Sequence, residues 1–249
     1  MQLINNKIYF KADQQMIVLV ISLLIFVVFS FSLPNFFSVG NLIAMMRSIA
    51  VLAILGLGMA IVVIGRGIDL SMVALMAVPT ALVMTLVESG VGLILSILVG
   101  VGFAAVMGMI NGLLVAYAEI PALFVTLAMG LVLAGLGQVG ILKSDMVSWP
   151  EGMNPVLWIG GSNVLGLPSS VLVAATMFFF VNWFLRKTKI GRFIYSIGDN
   201  PAAARTTGIP VRPIVVLQYI LAALIAVLAG LVMASSNSLM DTRIYNLSL

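Results

Sequence analysis

Seven apolar runs divide this chain, at residues 16–33, 48–65, 70–87, 91–117, 120–142, 167–185 and 213–235, with nearly all charged positions falling between them. A hydrocarbon core roughly 30 Å thick takes about 17–25 helical residues to cross, which each run supplies or approaches. The runs are continuous and lack the in-out alternation of barrel strands, so they predict helices. The first run follows Lys7 and Lys11 as in a secretory leader. It lacks a small-residue exit of the A-x-A kind and further runs follow, so it reads as a retained first helix. The fold class expected is all-α: a single polytopic transmembrane helix bundle over 1–249, with about seven spans.

Composition sharpens this reading. The chain is 62% apolar and 8% charged, with a mean hydropathy of +1.23, whereas a soluble globule carries about a quarter charged residues. The net charge of +4 is confined to segments flanking the runs and has no aromatic interleaving, which points to topology rather than to nucleic acid. With the N-terminus inside, the inner segments collect Lys7, Lys11, Arg66 and six cations of segment 186–212, nine against Lys143 and Arg243 outside, with Arg47 at a helix edge. The positive-inside rule therefore places the N-terminus in the cytoplasm and the last residues on the far side. Cys and His are absent, which removes thiolate and imidazole metal sites, disulfides and His acid-base chemistry. No phosphate-binding loop, nucleophile elbow or H-E-x-x-H is present, so no catalytic residue, metal or cofactor is expected.

Between the runs, the polar segments differ in character. Residues 33–42 carry Pro34, Phe36, Phe37 and Gly40 without charge and read as an outer turn with an aromatic belt. Residues 143–166 form the longest outer loop, a periplasmic loop with Trp149, Trp158, Pro150 and Pro155; two readings are open, a membrane interface marked by the Trp pair or a surface that receives a partner protein. Glycines recur within the helices at 56, 58, 100, 102, 108, 112, 130, 135, 137 and 140, and Gly108-Met-Ile-Asn-Gly112 has the spacing that lets helix backbones approach closely. Segment 186–212 holds six of the twelve basic residues. It runs through Gly191-Arg192 to a turn at Gly198-Asp199-Asn200-Pro201. Asn200 as N-cap, Pro201 as first helical residue and Gly208 past the end predict a two-turn helix over 201–207.

At the junction Gly65-Arg66-Gly67-Ile68-Asp69-Leu70-Ser71, two readings are open: Arg66 and Asp69 pair across a turn, or the Asp69 carboxylate caps the next helix by accepting from the N–H of Ser71 or Met72. A charge alone at mid-membrane costs about 2.5–3.5 kcal/mol, so pairing or water access is expected. Asn111, inside an apolar run, needs an interhelical partner. Pro121 begins a helix, and Thr126 can bond back to its own helix.

Three stretches carry a resemblance. IGRFIYSIGDNPAAARTTGI (190–209), IVVIGRGIDLS (61–71) and INGLLVAYAEIPALFVTLAMG (110–130) resemble, in the same order, segments of the permease subunits of ABC importers for sugars of the ribose, xylose and arabinose type. Where that family usually reads GGIDLSVG, Arg66 stands for the first Gly and Met72 for the Val. The resemblance implies a bacterial inner-membrane subunit forming the path for a small sugar, with a second permease copy, a separate ABC ATPase and a periplasmic sugar-binding protein as partners, all set in the lipid bilayer. It implies that 186–212 is the cytoplasmic coupling loop, with Gly191, Arg192, Tyr195, Gly198, Asn200, Pro201, Ala204, Arg205 and Gly208 engaged in ATPase coupling. It places Asp69, Ser71, Asn111, Pro121 and Thr126 at the translocation path. Family members continue through further helices to a cytoplasmic C-terminus, so the expectation at Leu249 is a shortened bundle. Sugar-contact candidates are Gln138, Asn111, Tyr117 and Gln218. The rival readings are a permease for another solute, such as branched-chain amino acids, and an ATP-independent carrier or channel.

Overall fold

The structure, a computed structural model, describes residues 14–138 and 146–243. Lys7, Lys11, Gly140 and Lys143 lie outside the described residues. By its own contacts the chain divides into two compact units, Met1–Met45 and Met46–Leu249.

In the first unit, α1 (Gln14–Ser32) is apolar all round, and its side chains from Met16 to Phe29 stand mostly exposed, as suits a helix solvated by lipid. It ends in a turn with Asn35 in the left-handed region. There Phe26, Phe36 and Phe37 meet edge to face at 5.3–6.1 Å. Ser38 Oγ accepts from the N–H of Asn41 at 3.3 Å, and Asn41 Nδ2 donates to the Phe36 carbonyl at 2.7 Å. With these polar groups satisfied, α2 (Val39–Ile64) starts nine residues before the predicted 48 and runs on into the second unit.

The second unit adds α3 (Met72–Glu88), α4 (Leu93–Ala116), α5 (Ala122–Leu136), α6 (Ser169–Lys187), α7 (Lys189–Asp199), α8 (Pro201–Thr206) and α9 (Val211–Asn237). Each of the seven predicted runs is helical over most of its described residues. Among the described residues, four helices, α2, α4, α6 and α9, are long and apolar enough to cross a membrane alone. The apolar helices α3 and α5 are shorter, because α3 starts only after the turn at 65–71 and α5 only after Pro121.

The core is built around α9. Its most apolar stretch is 61% buried, against 22–33% for α2, α4 and α6, and it packs along α4 and α3. Close approach is set by small residues: a Cβ at Gly112 would stand 2.6 Å from Val216 Cα, and one at Gly108 2.6 Å from the Tyr219 carbonyl oxygen. The G-x-x-x-G pair thus serves packing inside this bundle. On α6, Phe178, Phe179, Phe180 and Trp183 face outward.

The connections of this unit sort to two ends. At one, β1 (Met146–Ser148) pairs antiparallel with β4 (Leu239–Asp241), Val147 opposite Met240. A 3-10 helix (Glu151–Ile159) and a small hairpin of β2 (Asn163–Val164) and β3 (Leu167–Pro168) follow β1. Arg47 reaches this end, donating to the Ser236 and Gly161 carbonyls and to Asn163 Oδ1 at 3.4–3.5 Å. Arg243 grips Asp241 through two bonds of 3.1 Å, and this hydrogen bonding holds the Asp241 carboxyl below the usual range. At the other end lie 64–71, 117–121 and 186–212, so the described connections of this unit alternate between its two ends.

Candidate functional site

The segment at the second end begins with an element absent from the sequence expectation. Residues 189–199 form α7, capped by Thr188, whose Oγ1 accepts from the N–H of Gly191 at 3.0 Å. Ile194 and Ile197 are buried, while Arg192, Tyr195 and Asp199 are exposed. The signal was present as Ile190, Phe193, Ile194 and Ile197, the three-and-four spacing of an amphipathic helix. Two glycines seat α7 where no side chain fits. A Cβ at Gly191 would overlap the Leu185 and Phe184 carbonyls, and one at Gly198 would overlap the carbonyl oxygen of Ile64.

α8 forms as its caps dictate. Asn200 Oδ1 accepts from the N–H groups of Ala202 and Ala203 at 3.0 and 3.1 Å, with Pro201 in the first turn. Gly208, at φ +83°, closes the far end. Its N–H donates to the Arg205 carbonyl and that of Ile209 to the Ala204 carbonyl, both at 3.0 Å, the paired bonds of a glycine-terminated helix. Ala204 is buried, and Arg205 is exposed. Arg205 lines an open depression of about 420 Å³ with Tyr117, Pro210, Val211, Arg212 and Pro213. Within it Arg212 is already engaged, pairing with Glu119 at 2.8 Å and lying 5.5 Å above the Tyr117 ring.

The junction 65–71 is the second polar feature. The N–H of Gly67 donates to the Val62 carbonyl at 2.8 Å and that of Arg66 to the Val63 carbonyl at 3.0 Å. These are the same paired bonds that end α8, with Arg66, at φ +66°, in the left-handed place glycine usually fills. The turn is therefore tight despite the cation. Of the two readings of Asp69, the bond to the Ser71 N–H is the one formed: Oδ1 accepts from that N–H at 2.9 Å and from Ser71 Oγ, one step ahead of α3, whose N-cap position is Ser71 itself. Arg66 is exposed and makes no ion pair with Asp69.

Helices converge on this turn. Asn111 Nδ2 donates to Ser71 Oγ at 3.0 Å. Thr126 Oγ1 accepts from the Leu70 N–H at 3.1 Å and bonds its own helix at the Ala122 carbonyl at 2.9 Å. The Tyr219 hydroxyl reaches the Ile68 carbonyl at 3.4 Å, and Gln218 packs on Gly65. Asp69, Ser71, Asn111 and Thr126 are at most 1% exposed. Asp69 Oδ2, Asn111 Oδ1 and Gln218 Nε2 are buried without a hydrogen-bond partner. This is a packed polar knot, whereas Pro121 lies exposed at the start of α5. The four sugar-contact candidates do not form a set: Asn111 and Gln218 are buried, Tyr117 lies under Arg212, and Gln138 is exposed just past the end of α5.

No solved structure matches this chain. Among curated proteins it is 33% identical over 200 residues to the ribose import permease RbsC of Escherichia coli K12, covering 80% of this chain and 62% of that protein. It is 32% identical over 205 residues to the fructose import permease FruF of Bifidobacterium longum, 81% and 57% of the two chains. It is 34% identical over 227 residues to the galactofuranose transporter permease YtfT of E. coli K12, 87% and 65%. The chain thus spans a little under two thirds of the length of these relatives. The family described as branched-chain amino acid transport system / permease component matches residues 41–246. The match takes in all three polar segments described above, and the chain belongs to this family of multi-pass membrane permeases.

Proposed function

We propose that this chain is the membrane-spanning subunit of an ATP-driven importer, carrying a small sugar through a path it shares with a second permease copy. Hydrolysis of ATP belongs to a separate ABC ATPase seated on α7 and α8, and a periplasmic binding protein delivers the sugar to the opposite end. The observation that carries the reading is α8: a six-residue knob, closed by a cap at each end, presented where seven described cations gather. These are Arg66, Arg186, Lys187, Lys189, Arg192, Arg205 and Arg212, against Arg47 and Arg243 at the other end. That imbalance supports a cytoplasmic position for the knob in the inner membrane, and with it a cytoplasmic N-terminus. The sugar is supported by the three relatives, each named for a sugar.

Arg192, Tyr195 and Arg205 form the exposed docking face, where guanidinium groups meet carboxylates of the ATPase with direction as well as charge. Gly191 and Ala204 are buried and seat the loop, Asn200, Pro201 and Gly208 shape it, and Gly198 turns away from the docking face toward Ile64. The knot of Asp69, Ser71, Asn111 and Thr126, with Pro121 beside it, braces the wall of the translocation path. A permease for branched-chain amino acids is the second reading, favoured by the description of the matching family.

The test is capture and transport. Arg205→Glu should insert into the membrane normally yet lose ATPase co-purification. A folded variant that still captured the ATPase and imported normally would overturn the docking. In vesicles carrying the partners, uptake of a pentose or hexose but not of leucine supports the sugar reading, and the reverse result supports the amino acid.

A further inference from the structure

We infer that Gly198 is a positioning residue for coupling: it lets the backbone of α7 bear directly on the carbonyl of Ile64, so that movement of the docking loop is delivered to the knotted turn at 65–71. The inference rests on the proposed docking of an ATPase on α7 and α8 and adds where the stroke goes next.

Three observations carry it. First, the contact is backbone on backbone: a Cβ at position 198 would overlap the Ile64 oxygen and stand 3.0 Å from the Ile64 carbonyl carbon. With no flexible side chain between them, a displacement at one surface is passed to the other without being absorbed. Second, Ile64 is the last residue of α2, and the tight turn closed by Arg66 and Gly67 begins beside it. A push on Ile64 therefore moves a short connection, not the length of a helix. Third, that connection is held by residues of three other helices: Asn111 of α4 on Ser71, Thr126 of α5 on Leu70, and Gln218 and Tyr219 of α9 on Gly65 and Ile68. The end of α7 thus reaches the helices that form the core through one turn.

The knot also holds polar atoms that no hydrogen bond satisfies. Gln218 Nε2 is a donor lacking an acceptor, and Asp69 Oδ2 and Asn111 Oδ1 are acceptors lacking a donor. They sit on α9, the turn and α4, the parts whose relative position a push on Ile64 changes. An element with complementary unsatisfied groups has bonds to gain by moving, as a two-position switch requires.

The experiment uses the full complex of permease, ATPase and binding protein in vesicles. Because the chain has no cysteine, Ile68→Cys places a single thiol on the turn at a position 45% exposed. Its reaction with a water-soluble maleimide should change about fivefold or more between nucleotide-free complex and complex holding a non-hydrolysable ATP analogue, the scale of ordinary coupling between sites. In Gly198→Ala, ATPase capture should persist, the labelling change should disappear, and sugar carried per ATP should fall about tenfold or more. Nucleotide-independent labelling of the otherwise native complex overturns the inference while leaving docking intact, and does so even if Gly198→Ala fails to fold. Full coupling in a folded Gly198→Ala overturns it too. Failure of the native permease to capture any ATPase removes the docking reading itself, and the inference falls with it.

Discussion

Arg66 is a residue in a place that steric rules reserve for another. Its left-handed backbone ends α2 and lets the chain turn toward Asp69 within a few residues. A non-glycine residue held there costs of order 1–3 kcal/mol, while glycine would cost about 0.5–1 kcal/mol in extra unfolded-state freedom. The strain outweighs that freedom, so Arg66→Gly should raise stability by about 1 kcal/mol, read as a higher unfolding midpoint in detergent. The guanidinium makes no ion pair with Asp69 whose loss would offset the gain. Asp69 and Ser71 show the same locality: two residues apart, they find each other because the chain has nowhere else to put a buried carboxylate. That contact was legible in the sequence. The Asn111 bond to Ser71 Oγ was not, since forty positions separate the two residues and only the packing of α4 beside the turn joins them.

Short elements follow the same division between local and distant causes. α8 could be read directly, because Asn200, Pro201 and Gly208 act on neighbouring N–H and carbonyl groups. α7 could not be read as easily: its cap, Thr188, sits inside a run of cations, and its buried face is meaningful only against α6 and α9. Gly198 looked like a turn residue and is instead a helical residue whose missing side chain makes room for Ile64. The dependence of α8 on its cap is measurable. Asn200→Ala removes an acceptor serving two otherwise unpaired N–H groups, a change worth about 0.5–2 kcal/mol. In a six-residue helix with few other sources of stability, that loss should appear as faster amide exchange at 202–206 and weaker ATPase capture, with membrane insertion unchanged.

At the scale of the whole molecule, the decisive fact is that the polar connections of the second unit separate cleanly by charge. The end holding the knob gathers seven described cations and the end holding β1, β4 and the 3-10 helix only two. Cations are retained on the cytoplasmic side during insertion, so the count supports the proposed orientation, with the knob inside. Two of the seven, Arg192 and Arg205, belong to the proposed docking face, so in that reading orientation and partner binding draw on the same residues. The prediction is topological and uses the absence of native cysteine. Ala203→Cys on α8 and Asn154→Cys on the 3-10 helix both place a thiol at an exposed position. A membrane-impermeant maleimide added to spheroplasts should label position 154 and spare 203. In inverted vesicles the pattern should reverse. Labelling of both from one side would contradict the sorting of connections to opposite ends, whereas an exchanged pattern would keep the bundle and place α8 where no cytoplasmic ATPase could reach it.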